Sequence, residues 1–205
     1  MPGALMWVST AADDTTWGVN SAGNIWRWDN VTWHQIPGGL KQISVGRYDL
    51  IWGVNNSDQI WRWTGSTWQQ VPGALSNVSV GFDGAVWGVN SAGNIWRRDD
   101  GVWTQIPGGL KQISVGRADL VWGVNSAGNI WHWVNGNWVQ VAGGLTNVSV
   151  AADNSVWGVN SAGNIWQWTG AEWLQIPGGL KEVSVGHRGR VWGVNSGDAI
   201  WSLQD

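Results

Sequence analysis

The sequence predicts an all-β fold in which six copies of one unit close into a ring. The tetrapeptide Trp-Gly-Val-Asn recurs every 35 residues, and six such units nearly equal the 205-residue chain. Each unit holds four short runs rich in Val, Ile and Trp, separated by Gly, Asn, Asp and Ser, as is typical of strands and tight turns. With 31 glycines and 12% charged residues, the composition argues against helical repeats of similar period. The sequence therefore predicts a six-bladed β-propeller, a single domain over residues 1–205. The six motifs begin at Trp17, Trp52, Trp87, Trp122, Trp157 and Trp192.

The second copy illustrates the four predicted strands of a blade. The first strand is predicted at 40–45, the second at 51–55, the third at 60–63 and the fourth at 67–71. The Pro-Gly-Gly-Leu stretch between the fourth strand and the next copy reads as a linker. All five prolines fall at this one repeat position.

The turn between the second and third strands reads Asn-Ser-Ala-Gly-Asn at 20–24, 90–94, 125–129 and 160–164. Its Gly suits a positive φ, and its first Asn can cap the turn with its own side chain. A two-residue Ala-Gly turn and a three-residue turn with a glycine bulge are both compatible. The two differ by one residue, which would exchange Trp26 and Ile25 between the faces of the sheet.

The last copy is one strand short, because it lacks the five residues that would correspond to 31–35. If the Leu-x-x-Ile-Ser-Val strand is innermost, the strand that the last blade lacks is the outermost, and the sheet loses only an edge. Most other arrangements would leave unpaired backbone groups inside a sheet. The sequence therefore predicts that strands run from axis to rim in chain order. A serine on the inner strand of every copy suits a crowded centre.

A second period is superimposed on the first. Segments 36–55 and 106–125 differ at only two positions, and Lys41, Lys111 and Lys181 alternate with Met6, Ser76 and Thr146. The array thus consists of three pairs of blades, and the clefts between blades are expected to form two classes.

Composition excludes several kinds of protein. There is no cysteine to form a disulfide or bind a metal. A formal net charge of -3 argues against a nucleic-acid surface, which needs a basic face. No apolar run approaches the length of a membrane span, and the N-terminus lacks the features of a signal peptide. We expect a cytoplasmic protein, with release by a route other than a signal peptide as the alternative.

Catalytic chemistry is poorly represented. The three histidines, His34, His132 and His187, occupy three different repeat positions, and no acidic residue stands at metal-ligand spacing to them. The sequence therefore predicts no enzyme, no catalytic residue, no metal and no cofactor.

Binding chemistry is better represented, because Trp and Asn recur among small residues. A sugar can rest its C–H face on an indole and pair its hydroxyls with amides. The candidate ligand-binding residues form four series. An Asn closes every tetrapeptide: Asn20, Asn55, Asn90, Asn125, Asn160 and Asn195. An Ile precedes a Trp after every turn: Ile25, Ile60, Ile95, Ile130, Ile165 and Ile200, followed by Trp26, Trp61, Trp96, Trp131, Trp166 and Trp201. A second Asn recurs in four copies: Asn24, Asn94, Asn129 and Asn164.

Each series also has a purely structural interpretation. The first Asn series could only cap turns, and the Ile-Trp pairs could only pack blades together. A further series on the outermost strand is expected to be partly exposed, and the last copy has no equivalent. It comprises Trp33, Trp68, Trp103, Trp138 and Trp173.

The pattern Trp-Gly-Val-Asn-(x)4-Ile-Trp-Arg-Trp, followed by Trp-x-Gln-Ile-Pro-Gly-Gly-Leu-Lys-Gln-Ile-Ser-Val-Gly, resembles the tectonin repeat. The resemblance covers all six copies. It implies a six-bladed propeller lectin of innate defence against bacteria and nematodes. The implied ligands are O-methylated glycans, of mannose or fucose type, bound in clefts between neighbouring blades.

The residues themselves are compatible with such a ligand. A methyl ether replaces a hydroxyl donor with a small apolar group, which Ile and Trp beside an amide could bury. Several sites on one ring could raise avidity by about 10²–10⁴. The alternative is a propeller scaffold that binds proteins and no sugar.

Three departures from the repeat alter individual copies. Arg98 and Leu203 replace the tryptophan found at Trp28, and 187–190 replaces the loop at 47–50. An exposed last strand at 199–203, carrying Trp201 and Leu203, predicts a homo-oligomer that associates through this or a nearby surface.

Overall fold

The computed structural model describes residues 3–203 and folds them into six antiparallel sheets arranged as a ring. The first three blades comprise β1 (Trp7–Thr10), β2 (Thr16–Val19), β3 (Ile25–Trp28), β4 (Trp33–Ile36), β5 (Gln42–Arg47), β6 (Leu50–Val54), β7 (Gln59–Trp63), β8 (Trp68–Ala74), β9 (Asn77–Val80), β10 (Val86–Val89), β11 (Ile95–Asp99) and β12 (Val102–Ile106). The last three comprise β13 (Gln112–Arg117), β14 (Leu120–Val124), β15 (Ile130–Val134), β16 (Asn137–Val141), β17 (Asn147–Val150), β18 (Val156–Val159), β19 (Ile165–Trp168), β20 (Trp173–Ile176), β21 (Glu182–Val185), β22 (Val191–Val194) and β23 (Ile200–Leu203).

Strand order in every sheet follows chain order, as the sequence predicts. Over the described residues, five sheets have four strands and the sixth has three, β21-β22-β23. The first strand of each blade lines the axis, so the strand that the sixth blade lacks is the outermost. In the second blade the observed strands differ from the predicted ranges by at most three residues at either end.

Tryptophans from neighbouring blades form the apolar layers between sheets. The buried Trp17 of the first blade meets two tryptophans of the second, with ring centroids 5.6 Å from Trp63 and 6.2 Å from Trp68. Both contacts are edge-to-face, an arrangement that stabilises aromatic pairs beyond simple burial. Where the ring closes, Trp192 of the sixth blade makes the same pair of contacts, at 5.9 Å, with Trp28 and Trp33.

The glycine of the repeated tetrapeptide allows the linker to pack on the sheet. A Cβ at Gly53 would lie 2.5 Å from Cδ1 of Leu40 and 2.8 Å from the carbonyl oxygen of Gln42. The other five copies show the same close approach of a linker leucine. Only glycine leaves room for this leucine, which is buried in every copy.

The inner strands are joined by a closed circle of hydrogen bonds that serine side chains accept from backbone N–H groups. The backbone N–H of Val45 donates to Oγ of Ser9 at 2.9 Å, and four more serines repeat the contact with the following blade. At the closure the N–H of Thr10 donates to Oγ of Ser184 at 2.9 Å. The serines that the sequence marks as small therefore also connect the blades.

The first residue of the inner strand makes a second set of bonds between blades in the second, fourth and sixth blades. Gln42 donates its amide to the carbonyl oxygens of Ile43 and Val78, at 3.0 and 2.9 Å, and accepts from the N–H of Val78 at 3.1 Å. Gln112 repeats all three bonds in the fourth blade. In the sixth blade the equivalent residue is Glu182, which accepts from the N–H of Val8 at 3.2 Å. Burial raises the pKa of the Glu182 carboxyl well above its usual range.

The N-terminal segment completes the ring by taking the place of a linker. Ala4 pairs with Ala199, and the N–H of Leu5 donates to the carbonyl oxygen of Asp198 at 3.0 Å. The same contact joins Leu75 to Asp58 between the second and third blades. Within residues 3–203 the one helix is the short 3-10 turn His187–Gly189, and no helix is long and apolar enough to cross a membrane.

Candidate functional site

The hairpin after each tetrapeptide is a three-residue turn whose last residue has a positive φ; this residue is Gly in four copies and Asp58 or Asp198 in the other two. In the first blade the N–H of Gly23 donates to the carbonyl oxygen of Asn20 at 2.9 Å, and Gly23 has a φ of 83°. The strands pair so that Gly18 lies opposite Trp26 and Val19 opposite Ile25. This decides the question that the sequence leaves open. The Trp side chain faces the preceding blade, and the Ile side chain faces the following one.

The first Asn series caps these turns in all six copies. Oδ1 of Asn90 accepts from the N–H groups of Ala92 and Asn94, at 3.1 and 2.9 Å. The other five copies repeat both bonds at 2.9–3.1 Å. The structural interpretation of these residues is therefore correct for their oxygen atom.

Their amide nitrogens remain available for a ligand. The two backbone donors occupy Oδ1, so Nδ2 takes no part in the cap. In the second blade Nδ2 of Asn55 donates to Oε1 of Gln59 at 2.7 Å. In the other five copies Nδ2 makes no hydrogen bond to any part of residues 3–203, and all six side chains are half-buried. One Asn can thus cap a turn and offer a donor.

The members of three series meet in a cleft between neighbouring blades. Between the second and third blades this cleft has a volume of about 120 Å³. Ile60 of the second blade forms one wall, and Asn90, Trp96 and the outer-strand Trp103 of the third form the other. The linker Gly73–Leu75 completes the lining. Asn94 is not part of it, which separates the second Asn series from the other three.

The linker also lines the cleft, whereas its sequence predicted only a connection between blades. A Cβ at Gly73 would lie 3.1 Å from Ile60 and 3.2 Å from the indole of Trp103, so both side chains close over the glycine. The indole N–H of Trp103 donates to the carbonyl oxygen of Pro72 at 3.0 Å. The recurrence of the Pro-Gly-Gly-Leu stretch was the signal that could have indicated this role.

Comparison with known proteins identifies the repeat. The tectonin domain, as a sequence family, matches residues 1–64 and 49–205, which together span the chain. The chain belongs to the tectonin family. No curated protein sequence matches it.

Solved structures similar to this tectonin share its fold. "YCF48 bound to D1 peptide" is 16% identical with a TM-score of 0.63, covering 98% of this chain and 79% of that one. A gluconolactonase from Xanthomonas campestris is 13% identical with a TM-score of 0.73, covering 98% and 86%. The WD40 propeller domain of Doa1 is 8% identical with a TM-score of 0.70, covering 100% and 94%. At these identities the likeness concerns the fold alone.

The six clefts of the tectonin ring are not equivalent. Between the fifth and sixth blades the corresponding space has a volume of about 300 Å³ and is lined by Ile165, Asn195 and Trp201. Within the described residues no outer-strand tryptophan closes it. The exposed fraction of Ile165 is accordingly 7%, whereas it is 0% for Ile25, Ile60, Ile95 and Ile130.

The departures from the tectonin repeat have distinct structural outcomes. The Arg98 guanidinium lies over two indoles, 5.7 Å from the centroid of Trp52 and 5.6 Å from that of Trp103, and so fills the tryptophan position by cation–π contacts. In the sixth blade the altered loop forms the 3-10 turn, and Arg190 pairs with Asp14 at 2.8 Å.

The histidines of this tectonin lie apart. His34 pairs with Asp29 at 2.6 Å on the outer surface, and His187 pairs with Asp153 at 3.2 Å. His132 stacks on Trp122 with ring centroids 4.6 Å apart, and burial lowers the pKa of its imidazole. Over residues 3–203 no three metal-ligating side chains come together.

Proposed function

We propose that this tectonin is a multivalent lectin that binds O-methylated glycans in the clefts between blades, without chemically altering them. The observation that carries the proposal is the cleft lined together by Ile60, Trp96, Trp103 and Asn90. Apolar walls beside one positioned donor match the amphipathic character of a sugar ring, whose C–H face rests on indoles while its hydroxyls bind amides.

The size of the cleft favours a small group inserted from a sugar that stays outside. About 120 Å³ is well below the roughly 300–1,000 Å³ of pockets that enclose whole ligands. A methyl ether on mannose or fucose would place its methyl against the half-buried Trp96 and Trp103, with the fully buried Ile60 behind them. Burial of one methyl is worth about 0.8 kcal/mol, or roughly a fourfold gain in affinity over the unmethylated sugar.

Repetition of the site would compensate for weak single contacts. Related clefts recur around the ring, and simultaneous binding to a surface of repeated glycans raises avidity by about 10²–10⁴. Such a ring would bind methylated glycans on bacteria and nematodes in defence, and leave unmethylated host glycans alone. Self-association through the apolar surface near Trp201 and Leu203 would multiply the sites further.

Binding of free mannose and fucose, and of their ring O-methyl ethers, tests the proposal by calorimetry. We expect the methylated forms to bind about fourfold more tightly than the unmethylated forms, with several sites per chain. Equal binding of the unmethylated forms would contradict the methyl specificity, and binding of neither form would contradict the lectin function. Agglutination of bacteria that carry methylated glycans tests the defence role.

The turn cap and the ligand donor can be separated by substitution. Asp in place of Asn at 20, 55, 90, 125, 160 and 195 keeps an oxygen that caps the turn and removes the Nδ2 donor. We expect sugar binding to be lost while the melting temperature changes little. Retained binding would show that the amides contact no ligand. Substitution by Ala at the same positions is the matched variant that also loses the cap.

A further inference from the structure

A second kind of cleft lies between the first and second blades, on the face of the ring opposite the candidate sugar clefts. It has a volume of about 720 Å³, within the roughly 300–1,000 Å³ of sites that enclose a whole small molecule. At its base the indoles of Trp17 and Trp63 meet with ring centroids 5.6 Å apart. The loops between first and second strands and between third and fourth strands border this loop-side cleft, at 13–15, 27–30, 48–50 and 62–65.

One exposed side chain in the loop-side cleft interrupts a near-exact duplication. Segments 36–55 and 106–125 differ only at positions 48 and 51 of the former. Ile51 is fully buried, so its difference belongs to the core. Tyr48, which stands where the fourth blade has Ala118, is 74% exposed and lines the cleft. It is also the only tyrosine in the chain.

The fold of its loop does not need the ring of Tyr48. The N–H of Tyr48 donates to Oδ2 of Asp13 in the preceding blade at 2.8 Å, and the N–H of Ala118 donates to Oδ2 of Asp83 at 2.7 Å. An arginine–aspartate ion pair at 2.6 Å recurs within both loops. Over residues 3–203 the Tyr48 hydroxyl makes no hydrogen bond. The ring is therefore held in the cleft by its backbone and is available to a ligand.

Arg27 adds an unpaired guanidinium to the same cleft. It lies opposite Trp17 in the β2–β3 pairing and so faces the second blade. In the third blade the equivalent Arg97 donates from Nε to Asp99 at 2.8 Å. In the first blade Asp29, the equivalent of Asp99, instead binds two backbone N–H groups and a histidine. Arg27 makes no hydrogen bond or ion pair with any other part of residues 3–203.

The strongest hydrogen-bonding groups left free in the loop-side cleft are donors. Its four aspartates all have partners. Two pair with arginines, at 2.8 and 2.6 Å, and two bind backbone N–H groups. The charges of the latter two are balanced by Arg27 and Arg62, so an anion meets no excess of negative charge. A planar guanidinium matches a carboxylate with two parallel hydrogen bonds. The aspartates are Asp13, Asp14, Asp29 and Asp49.

We propose that the loop-side cleft binds a hexuronic acid, a sugar whose ring carries one carboxylate. The carboxylate would pair with the single unpaired guanidinium of Arg27, and a C–H face of the ring would rest on Tyr48. The ring hydroxyls would bind the polar side chains of Thr15 and Asn30, which line the same cleft and which an aromatic acid would leave unused. The proposal does not depend on methylated sugars binding at the opposite face.

Titration of the isotope-labelled chain with sodium glucuronate, followed by amide NMR spectra, tests the proposal. We expect saturable shifts of the amide signals of 13–15 and 47–50. Glucose at the same ionic strength lacks the carboxylate and should bind at least about tenfold more weakly. Benzoate carries the carboxylate on an aromatic ring without hydroxyls and should also bind more weakly than glucuronate.

Two variants locate the site. Arg27→Gln should weaken glucuronate binding at least about tenfold, and Tyr48→Ala should weaken it about twofold to tenfold. Arg97→Gln is the matched control for the first, since the equivalent arginine is already paired with Asp99, and it should bind as the parent chain does. Tyr48→Ala makes the loop identical to 117–120, so its melting temperature by circular dichroism should equal that of the parent.

Absence of saturable shifts up to about 20 mM glucuronate would overturn the proposal. Equal binding of glucose, tighter binding of benzoate, or an affinity for glucuronate unchanged in either variant would overturn it as well. Shifts confined to the turns after the tetrapeptides would place the acid in the sugar clefts, and the proposal would be wrong. Binding of the O-methyl sugars to Arg27→Gln tests the lectin function separately, because this variant leaves the clefts of the opposite face unchanged.

Discussion

Replacement of Glu182 by Gln should stabilise the ring, and increasingly so as the pH rises. The side chain is 4% exposed and lies where Gln42 and Gln112 each donate to two carbonyl oxygens and accept one N–H. A carboxylate can accept from Val8 but cannot donate, so the carbonyl oxygens at this position of the sixth blade lack the amide that two other blades supply.

Two restored hydrogen bonds, each worth about 0.5–1.5 kcal/mol, predict a gain of about 1–3 kcal/mol near pH 8. For a protein of this size that corresponds to about 2–12 °C in melting temperature. Below pH 4.5, the ordinary pKa of the group, the neutral acid of the parent chain can donate one hydrogen bond itself. The stability gained by Glu182→Gln should therefore fall to that of one hydrogen bond, about 0.5–1.5 kcal/mol. Because the pKa in the folded state is raised, the stability contribution of the parent side chain is fully present below pH 4.5 and is lost as the pH rises toward the folded pKa.

Urea unfolding followed by tryptophan fluorescence between pH 4 and pH 9 measures the difference between Glu182→Gln and the parent chain. Gln112→Glu is the matched control, since it places the same carboxyl in the equivalent position of the fourth blade and should introduce a loss that grows with pH. A stability difference for Glu182→Gln that is constant over this range would refute the reasoning. A Gln112→Glu chain as stable as the parent at pH 8 would refute it as well.

Three further predictions concern packing and assembly. Gly53→Ala should destabilise the chain by about 1–3 kcal/mol in urea unfolding, because its Cβ would lie 2.5 Å from Leu40. Gly39→Ala is the control and should have little effect, since the nearest atom to its Cβ is 3.9 Å away. Equal stability of the two variants would contradict the packing argument. Arg98→Ala should lower the free energy of unfolding by about 1–2 kcal/mol, because the contacts of the guanidinium with two indoles are lost. Arg98→Trp should retain most of the stability. An Arg98→Ala chain as stable as the parent would show that the guanidinium contributes nothing. Light scattering across micromolar concentrations should detect an oligomer, and a monomer throughout would contradict self-association.

The repeat made most of the fold predictable. A fixed 35-residue period, strand-like runs and the short last copy predict the six blades, the axis-to-rim order and the three-stranded sixth blade, and the structure confirms all three. These features depend on local residue patterns and on the number of repeats, and both can be determined from the sequence alone. The inner serines illustrate the limit, since their small size was evident but their bonds to the next blade depend on tertiary geometry.

The candidate site was predictable in its residue types and less so in its geometry. The position of Trp96 on the cleft side depends on a three-residue turn, and either turn was compatible with Asn-Ser-Ala-Gly-Asn. The linker Gly73–Leu75 joins the cleft because two side chains from different blades close over one glycine. A pattern within one repeat does not contain that relation between blades. Whether the Asn, Ile and Trp series contact a ligand stays a prediction.

Closure of the ring has a consequence for how the chain folds. The bond between Thr10 and Ser184 joins residues 174 apart in sequence, whereas equivalent bonds between other blades join residues 36 apart. Because the entropic cost of closing a loop grows with its length, contacts between the first and sixth blades are expected to form last. Until then Trp28 and Trp33 lack their contacts with Trp192, and a nascent chain leaves that side of the first blade uncovered until the sixth blade has been synthesised. Refolding at high protein concentration should therefore fail by aggregation at this boundary before it fails at any other.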